Sequence, residues 1–245
     1  MKQQSILYCI DVAEKMLDIL ELKFQNSDFC KNPDNYFKRI TQKEVDNLEK
    51  ISQLEEESKI NESGGKTVFA LESDVEQLPF PGLYFDSFCA NLALQITPNH
   101  MQMLKEAYRV LKEGGKAAFS VWGSEENNSL ITLVPSIIEK YGATEKPVKY
   151  VEFHLNNQQD LIDKAKEVGF SYAKVYEQPN YLTIKDGQEY LSSILDSSQN
   201  VYFEGFDSET VEKIKQDIIT EFDERFGVNT NEMLNFAAHI LVCIK

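Results

Sequence analysis

Residues 66–95 read "KTVFALESDVEQLPFPGLYFDSFCANLALQ", and this stretch decides the fold class. "KTVFAL" is a short apolar run, long enough for a buried strand. "ESDVEQLPFPG" is a loop: it carries acids and two prolines, which cannot continue a central strand. "FDSFCANLAL" is a second apolar run. Buried parallel strands read as continuous apolar runs because helices cover both faces of their sheet. Next comes "TPNHMQMLKEAYRVLKEGG", which predicts a helix capped by Thr97, with Pro98 in its first turn and Gly114–Gly115 at its end. Met101, Leu104, Tyr108 and Leu111 supply its expected buried stripe. "KAAFSVW" predicts the following strand.

The same alternation extends in both directions. "SILYCID" is an apolar run ending in Asp11, after which Val12, Met16, Leu20 and Phe24 recur at helical spacing. "NSDFCKNPDNYF" breaks the periodicity. Thr41 and Glu44 then form a capping box ahead of a narrow stripe of Val45, Leu48, Ile51 and Leu54 on a charged rod that "NESGG" ends. Past Gly123, "NSLITLVPSIIEKYG" predicts a helix bent or interrupted near Pro135, and "NQQDLIDKAKEVGF" a helix closed by Gly169. "SYAKVYEQ" predicts a strand, helices are expected around Gly187–Leu195 and Ser208–Phe226, and "FAAHILVCIK" is a last strand containing His239. Alternating strands and helices predict a three-layer α/β sheet, parallel over most of its width. The expected organisation is a single domain over 1–245, with a charged helical insertion at 26–65 and a helical, lid-like insertion at 187–227.

Composition bounds the partners. With 25 Lys and Arg against 40 Asp and Glu, the net charge is −15, a surface that repels phosphate backbones, so nucleic acid is not expected. The triplet Glu55–Glu57 reads as a solvated helix face. Cys9, Cys30, Cys89 and Cys243 show no metal spacing and read as structural thiols in a reducing compartment, most simply the cytoplasm. His100, His154 and His239 show no metal spacing either. No stretch reaches the roughly 20 apolar residues of a membrane span.

In an open α/β sheet, ligands sit beyond the carboxyl ends of the strands. That places Asp11, Asp74, Asn91, Trp122 and Gly123 at the expected rim. A carboxylate there accepts hydrogen bonds from a ribose diol, and a second one can accept from an adenine amine; each can equally cap the following helix.

Three segments, "YCIDVAEKMLDIL", "ESDVEQLPFPGLYFDSFCANLALQ" and "MLKEAYRVLKEGGKAAFSVWG", resemble successive motifs of class I S-adenosylmethionine-dependent methyltransferases, in particular the small-molecule branch of ubiquinone-biosynthesis type. The resemblance runs from about Ile6 to Gly123 around the charged insertion, and more faintly to the last strand. It implies a Rossmann-like methyltransferase sheet and S-adenosylmethionine as cofactor. It assigns Asp11 to the ribose hydroxyls, with Val12 and Met16 around the adenine. Asp74 meets the adenine amine and Val75 packs on its ring, while Asn91 and Leu92 lie beneath the cofactor near the sulfonium. Gln95 stands where many relatives carry histidine, so the resemblance implies no general base.

The resemblance also implies a strand and a glycine-rich turn before "SILYCID", and the chain shows neither. The first strand and its G-x-G-x-G turn are missing, and they are the central strand between those carrying Asp11 and Asn91. Two edges are then left with unpaired backbone groups, each costing about 1–3 kcal/mol unless re-paired. Three explanations stay open: a truncated start, closure of the two edges into a smaller sheet, or a partner chain in the gap. The expected function is accordingly a methyltransferase-like protein with a small-molecule acceptor. The alternative is a catalytically inactive methyltransferase-fold subunit that binds a protein partner. Tyr181, Tyr190, Tyr202, Phe203 and Phe206 are candidates for an apolar pocket or for plain core.

Overall fold

In a computed structural model, the described residues are 5–40, 65–142, 153–198, 202–228 and 234–245. The helix expected from Thr41 to Ile60 lies outside them. The chain divides into two compact units, Met1–Ser87 with Asn99–Gly115, and Phe88–Pro98 with Lys116–Lys245.

The first unit is built on a three-stranded sheet in the order β1-β3-β2, from β1 (Ser5–Asp11), β2 (Tyr36–Ile40) and β3 (Lys66–Glu72). Both pairings are parallel, with Asp11 opposite Glu72 and Ile40 opposite Leu71. Parallel neighbours need a crossover, supplied between β1 and β2 by α1 (Glu14–Gln25) and the single turn α2 (Asp28–Lys31). Strand β2 falls where the sequence predicts only broken periodicity. Its partner β3 is buried at all five positions from Thr67 to Leu71, and pairing with that strand orders Tyr36–Ile40 against weak local signals. Tyr8, Phe69, Phe80, Tyr84 and Phe85 form a ring cluster with centroids 4.8–6.4 Å apart.

Helix α3 (His100–Val110) also belongs to this unit. It is capped by Asn99, whose side chain accepts from Gln102 N, two residues after the predicted cap. Its buried face is Met103, Leu104, Glu106, Ala107 and Val110, shifted from the predicted stripe. The helix stops at Val110, ahead of Gly114–Gly115, because Leu111 already takes extended backbone at φ −74°, ψ 141° and opens a strand.

Glu106 anchors the proline loop. Its Oε2 accepts from Leu78 N at 2.8 Å and from Arg109 Nη2 at 2.7 Å, and its Oε1 accepts from Arg109 Nε at 2.7 Å. Arg109 also donates to the carbonyls of Phe80 (2.6 Å) and Leu78 (3.0 Å), so "LPF" is pinned through its backbone as well as by its buried Leu78 and Phe80 side chains.

The second sheet has the order β4-β5-β7-β6, from β4 (Phe85–Asn91), β5 (Leu111–Trp122), β6 (Tyr172–Leu182) and β7 (Leu234–Ile244). Strand β7 runs antiparallel to both β5 and β6, so β5 and β6 share one direction and finish at the rim where β7 starts. Residues paired across the ladder face the same side and alternate along it. Val121, His239 and Glu177 therefore share one face, with Gln158 of α5 (Gln158–Val168) 3.2 Å from His239. Trp122 and Phe236 share the other face with α4 (Ser129–Lys140). Helices thus cover both faces, as the sequence expects. Helix α4 runs through Pro135 without a break.

Helices α6 (Gly187–Ser198) and α7 (Ser208–Phe226) stand between β6 and β7, where the two helices are predicted. With α4 they bury a second core of Leu133, Ile137, Tyr190, Ile214, Ile218 and Phe222. Strands β1 and β4 are each the end strand of their sheet, and among the described residues no strand pairs with them from the side the resemblance gives to its central strand.

Candidate functional site

The residues assigned from sequence fall into two groups, one in each unit. In the first, Asp11 and Asp74 follow the carboxyl ends of the adjacent parallel strands β1 and β3. Ser73 N donates to Asp11 O at 3.1 Å, which ties the two strand ends together. Both carboxylates close short turns: Asp11 Oδ1 accepts from Ala13 N and Asp74 Oδ1 from Glu76 N, each at 2.8 Å. These bonds close local turns rather than cap helices, since α1 starts after Ala13 with no side-chain cap and turns follow Asp74; each occupies one carboxylate oxygen. Neither Oδ2 has a partner among the described residues. Val75 is half-buried. Val12, just ahead of α1, and Met16 on it are 65% and 52% exposed, and Ile19 and Leu22 of α1 are exposed too.

The second group sits at the end of β4. Asn91 Oδ1 accepts from Ser120 Oγ at 2.6 Å, and Leu92 N donates to the same hydroxyl at 2.9 Å and to Ser120 O at 3.1 Å. Leu92 has φ +52°, left-handed backbone that costs a leucine about 1 kcal/mol or more. The turn is held there by Ser120, a residue the sequence reading passed over. Three residues on, Gln95 is 2% exposed, and its Oε1 finds no partner among the described residues.

Ser120 and Trp122 face the same side of β5, and Trp122 lines an apolar cavity of about 570 Å³. Its walls are Leu130, Ile131 and Val134 of α4, Leu182 at the end of β6 and Ile184 after it, Tyr190 and Ile194 of α6, Tyr202, and Phe236 of β7. The cavity opens where β5 and β6 end, the rim at which open α/β sheets hold ligands. Tyr190 hydroxyl donates to Leu130 O, and the ring stacks on Phe222 at 4.7 Å; burial, with Tyr202 adding to it, pushes its pKa far above the ordinary tyrosine range. Of the aromatics picked from sequence, Tyr190 and Tyr202 line this cavity, Phe203 lines a smaller one, Phe206 packs on the core and Tyr181 points to solvent. Leu130, Ile131, Val134 and Phe236 carry no sequence signal beyond apolarity.

The family described as methyltransferase domain matches residues 35–119, a stretch that contains Asp74, Val75, Asn91 and Leu92 and begins after Asp11. Over that stretch, about a third of its length, the chain is similar to methyltransferase domains. The demethylmenaquinone methyltransferase of Anoxybacillus flavithermus is 40% identical over 60 residues, 24% of this chain and 25% of that protein. The chloroplastic 2-methyl-6-phytyl-1,4-hydroquinone methyltransferase of Spinacia oleracea is 45% identical over 47 residues, 19% of this chain and 14% of that one. The match to the Anoxybacillus relative thus spans about a quarter of its length. Among solved structures, YcgJ of Bacillus subtilis covers all of the chain at 14% identity and TM-score 0.42, with 93% of its own length. Phosphoethanolamine N-methyltransferase 2 of Haemonchus contortus does so at 13% identity and TM-score 0.42, with 49% of its length.

Among the described residues three thiols are free: Cys89 exposed, Cys9 half-buried and Cys243 buried, the last with its pKa pushed up to about 12 by burial. Among the described residues no cluster of His, Cys, Asp or Glu could hold a metal ion, and no helix is long and apolar enough to cross a membrane.

Proposed function

We propose that the chain is an S-adenosylmethionine-dependent methyltransferase acting on a small, largely apolar acceptor. The observation that carries this reading is the cavity of about 570 Å³ at the rim of β5 and β6, whose Trp122 stands two residues along β5 from the Ser120 bonded to Asn91, on the chain that carries the matched stretch. The residues fit the nucleoside end of the cofactor. Asp11 and Asp74 each keep one carboxylate oxygen without a partner at adjacent strand ends, where Asp11 would hold the ribose and Asp74 the adenine amine. For the methionine end, the chain has no G-x-G turn.

When bound, the cofactor supplies a methyl group already activated by a positive sulfur, so the protein's share is proximity and orientation rather than proton abstraction. Gln95, buried and unable to act as a base, agrees with that division of labour. The apolar walls exclude water from the acceptor, and Ser120 fixes Asn91. The acidic surface and free thiols support a cytoplasmic protein that does not act on nucleic acid.

A second reading is an inactive subunit of an assembly. It is favoured by the exposed apolar side chains Met16, Ile19 and Leu22 on α1, with Val12 just ahead of it, a surface suited to a protein partner. Calorimetric titration with S-adenosylmethionine separates the two. Micromolar binding, weakened about tenfold or more in Asp11→Ala, is expected for the enzyme. No binding by a folded chain would leave the subunit.

A further inference from the structure

The cavity at the β5–β6 rim has aromatic walls on several sides, Trp122, Tyr190, Tyr202 and Phe236, and among the described residues a single charged residue lines it, Glu189. Among the described residues no lysine, arginine or histidine lines it. Glu189 stands in the first turn of α6, exposed to solvent. Its Oε2 accepts from Lys185 N at 2.6 Å, and Oε1 has no partner among the described residues. The nearest lysine side chain in sequence, Lys185, turns its Nζ to Asp186 at 3.7 Å. Two of the other polar groups on the wall are committed: Ser193 Oγ donates to Tyr190 O at 2.7 Å, and Tyr190 hydroxyl to Leu130 O.

We infer that the acceptor carries a protonated amine on an apolar body, with its cationic head at the mouth against Glu189 and its body among the aromatic rings. This rests on the cavity being the acceptor site. A carboxylate at the rim of an aromatic chamber satisfies an ammonium in two ways, by charge and by the negative faces of the rings. The chain's net charge of −15 raises the local concentration of such a cation. A neutral acceptor gains at most a hydrogen bond from Glu189, without the charge attraction, and an anionic one is repelled.

Trp122 is the chain's single tryptophan, so its emission reports what enters the cavity. Phenethylamine and phenethyl alcohol share one carbon skeleton and differ in charge at neutral pH. Titrated into the full chain, both are expected to perturb Trp122 emission, with the amine binding about five- to tenfold more tightly. Glu189→Gln keeps an acceptor for Lys185 N; it is expected to erase that difference and to leave the alcohol's affinity unchanged. Raised salt is expected to weaken the amine alone. Equal affinity of the two probes for the native chain, or an amine preference that survives in Glu189→Gln, overturns the inference while the cavity stands as an apolar acceptor site. Failure of both probes to perturb Trp122 overturns the cavity reading and this inference with it. Binding of S-adenosylmethionine, measured separately, is touched by none of these outcomes.

Discussion

Ser120 Oγ lies 2.6 Å from Asn91 Oδ1 and 2.9 Å from Leu92 N. One hydroxyl therefore donates to the side chain that the methyltransferase resemblance places near the sulfonium and accepts from the backbone that carries it. The end of β4 takes its shape from the neighbouring strand.

Ser120→Ala tests that dependence. Leu92 N keeps its bond to Ser120 O, so the turn survives with one support fewer. Stability is expected to fall by about 1 kcal/mol, read as a lower thermal midpoint. The freed amide of Asn91 is expected to weaken S-adenosylmethionine binding about threefold to tenfold. Ser120→Thr, which retains a hydroxyl, should restore most of both. An unchanged midpoint and affinity in Ser120→Ala would remove Ser120 from the site.

Glu106 gives the stability a pH signature. Burial opposes its ionisation, but the bidentate bonds from Arg109 and the Leu78 N–H outweigh that and hold its pKa below the usual glutamate range. A carboxyl with a depressed folded-state pKa contributes stability above its unfolded pKa of about 4.3, and loses it as pH falls through the lower folded value. Arg109 is partly solvated, so Glu106→Gln is expected to cost about 2 kcal/mol at neutral pH, less than a fully buried pair would. Urea unfolding at neutral pH and near pH 3 should show that gap narrowing with acid. A gap of constant size would place the effect in packing rather than in ionisation.

Gly187 makes a geometric prediction. A Cβ there would lie 2.4 Å from Ile219 O and 2.7 Å from Ile219 Cα, backbone atoms of α7 that cannot swing aside. Gly187 N also donates to Asp223 Oδ1 at 2.7 Å. Gly187→Ala is expected to push α6 off α7, to cost about 2–3 kcal/mol, and to change Trp122 emission by displacing Tyr190. A variant with native stability and native emission would contradict the close seating of the two helices.

Much of this was legible in the chain because most strands announce themselves locally. β1, β3, β4, β5 and β7 are apolar runs, and Asp11, Asp74 and Asn91 stand at their ends as the pattern required. β2 was not legible: Tyr36–Ile40 has little strand character alone and is ordered by pairing with β3. The helix stop at Val110, ahead of the glycine pair, has the same origin, since the residues after it join a strand. Glu106 gave no signal, because a buried carboxylate looks like any exposed one until its arginine is in place. Ser120 was silent for a related reason: its role belongs to a cross-strand neighbour 29 positions away. The cavity was half legible, through Trp122, Tyr190 and Tyr202. Its aliphatic lining is shared out among elements far apart in sequence.

Because β7 is reversed, the chain leaves the sheet at Leu182 and re-enters it at Leu234 on the same rim. Everything between is a detour that departs and returns at one place. Its length and make-up are free to change without disturbing a single rung of the ladder. Selection can therefore re-tailor the chamber by exchanging this one stretch, while the strand ends that carry Asp11, Asp74 and Asn91 stay as they are. In such a lineage, the lining of the chamber would drift quickly and the ladder that frames it would drift slowly.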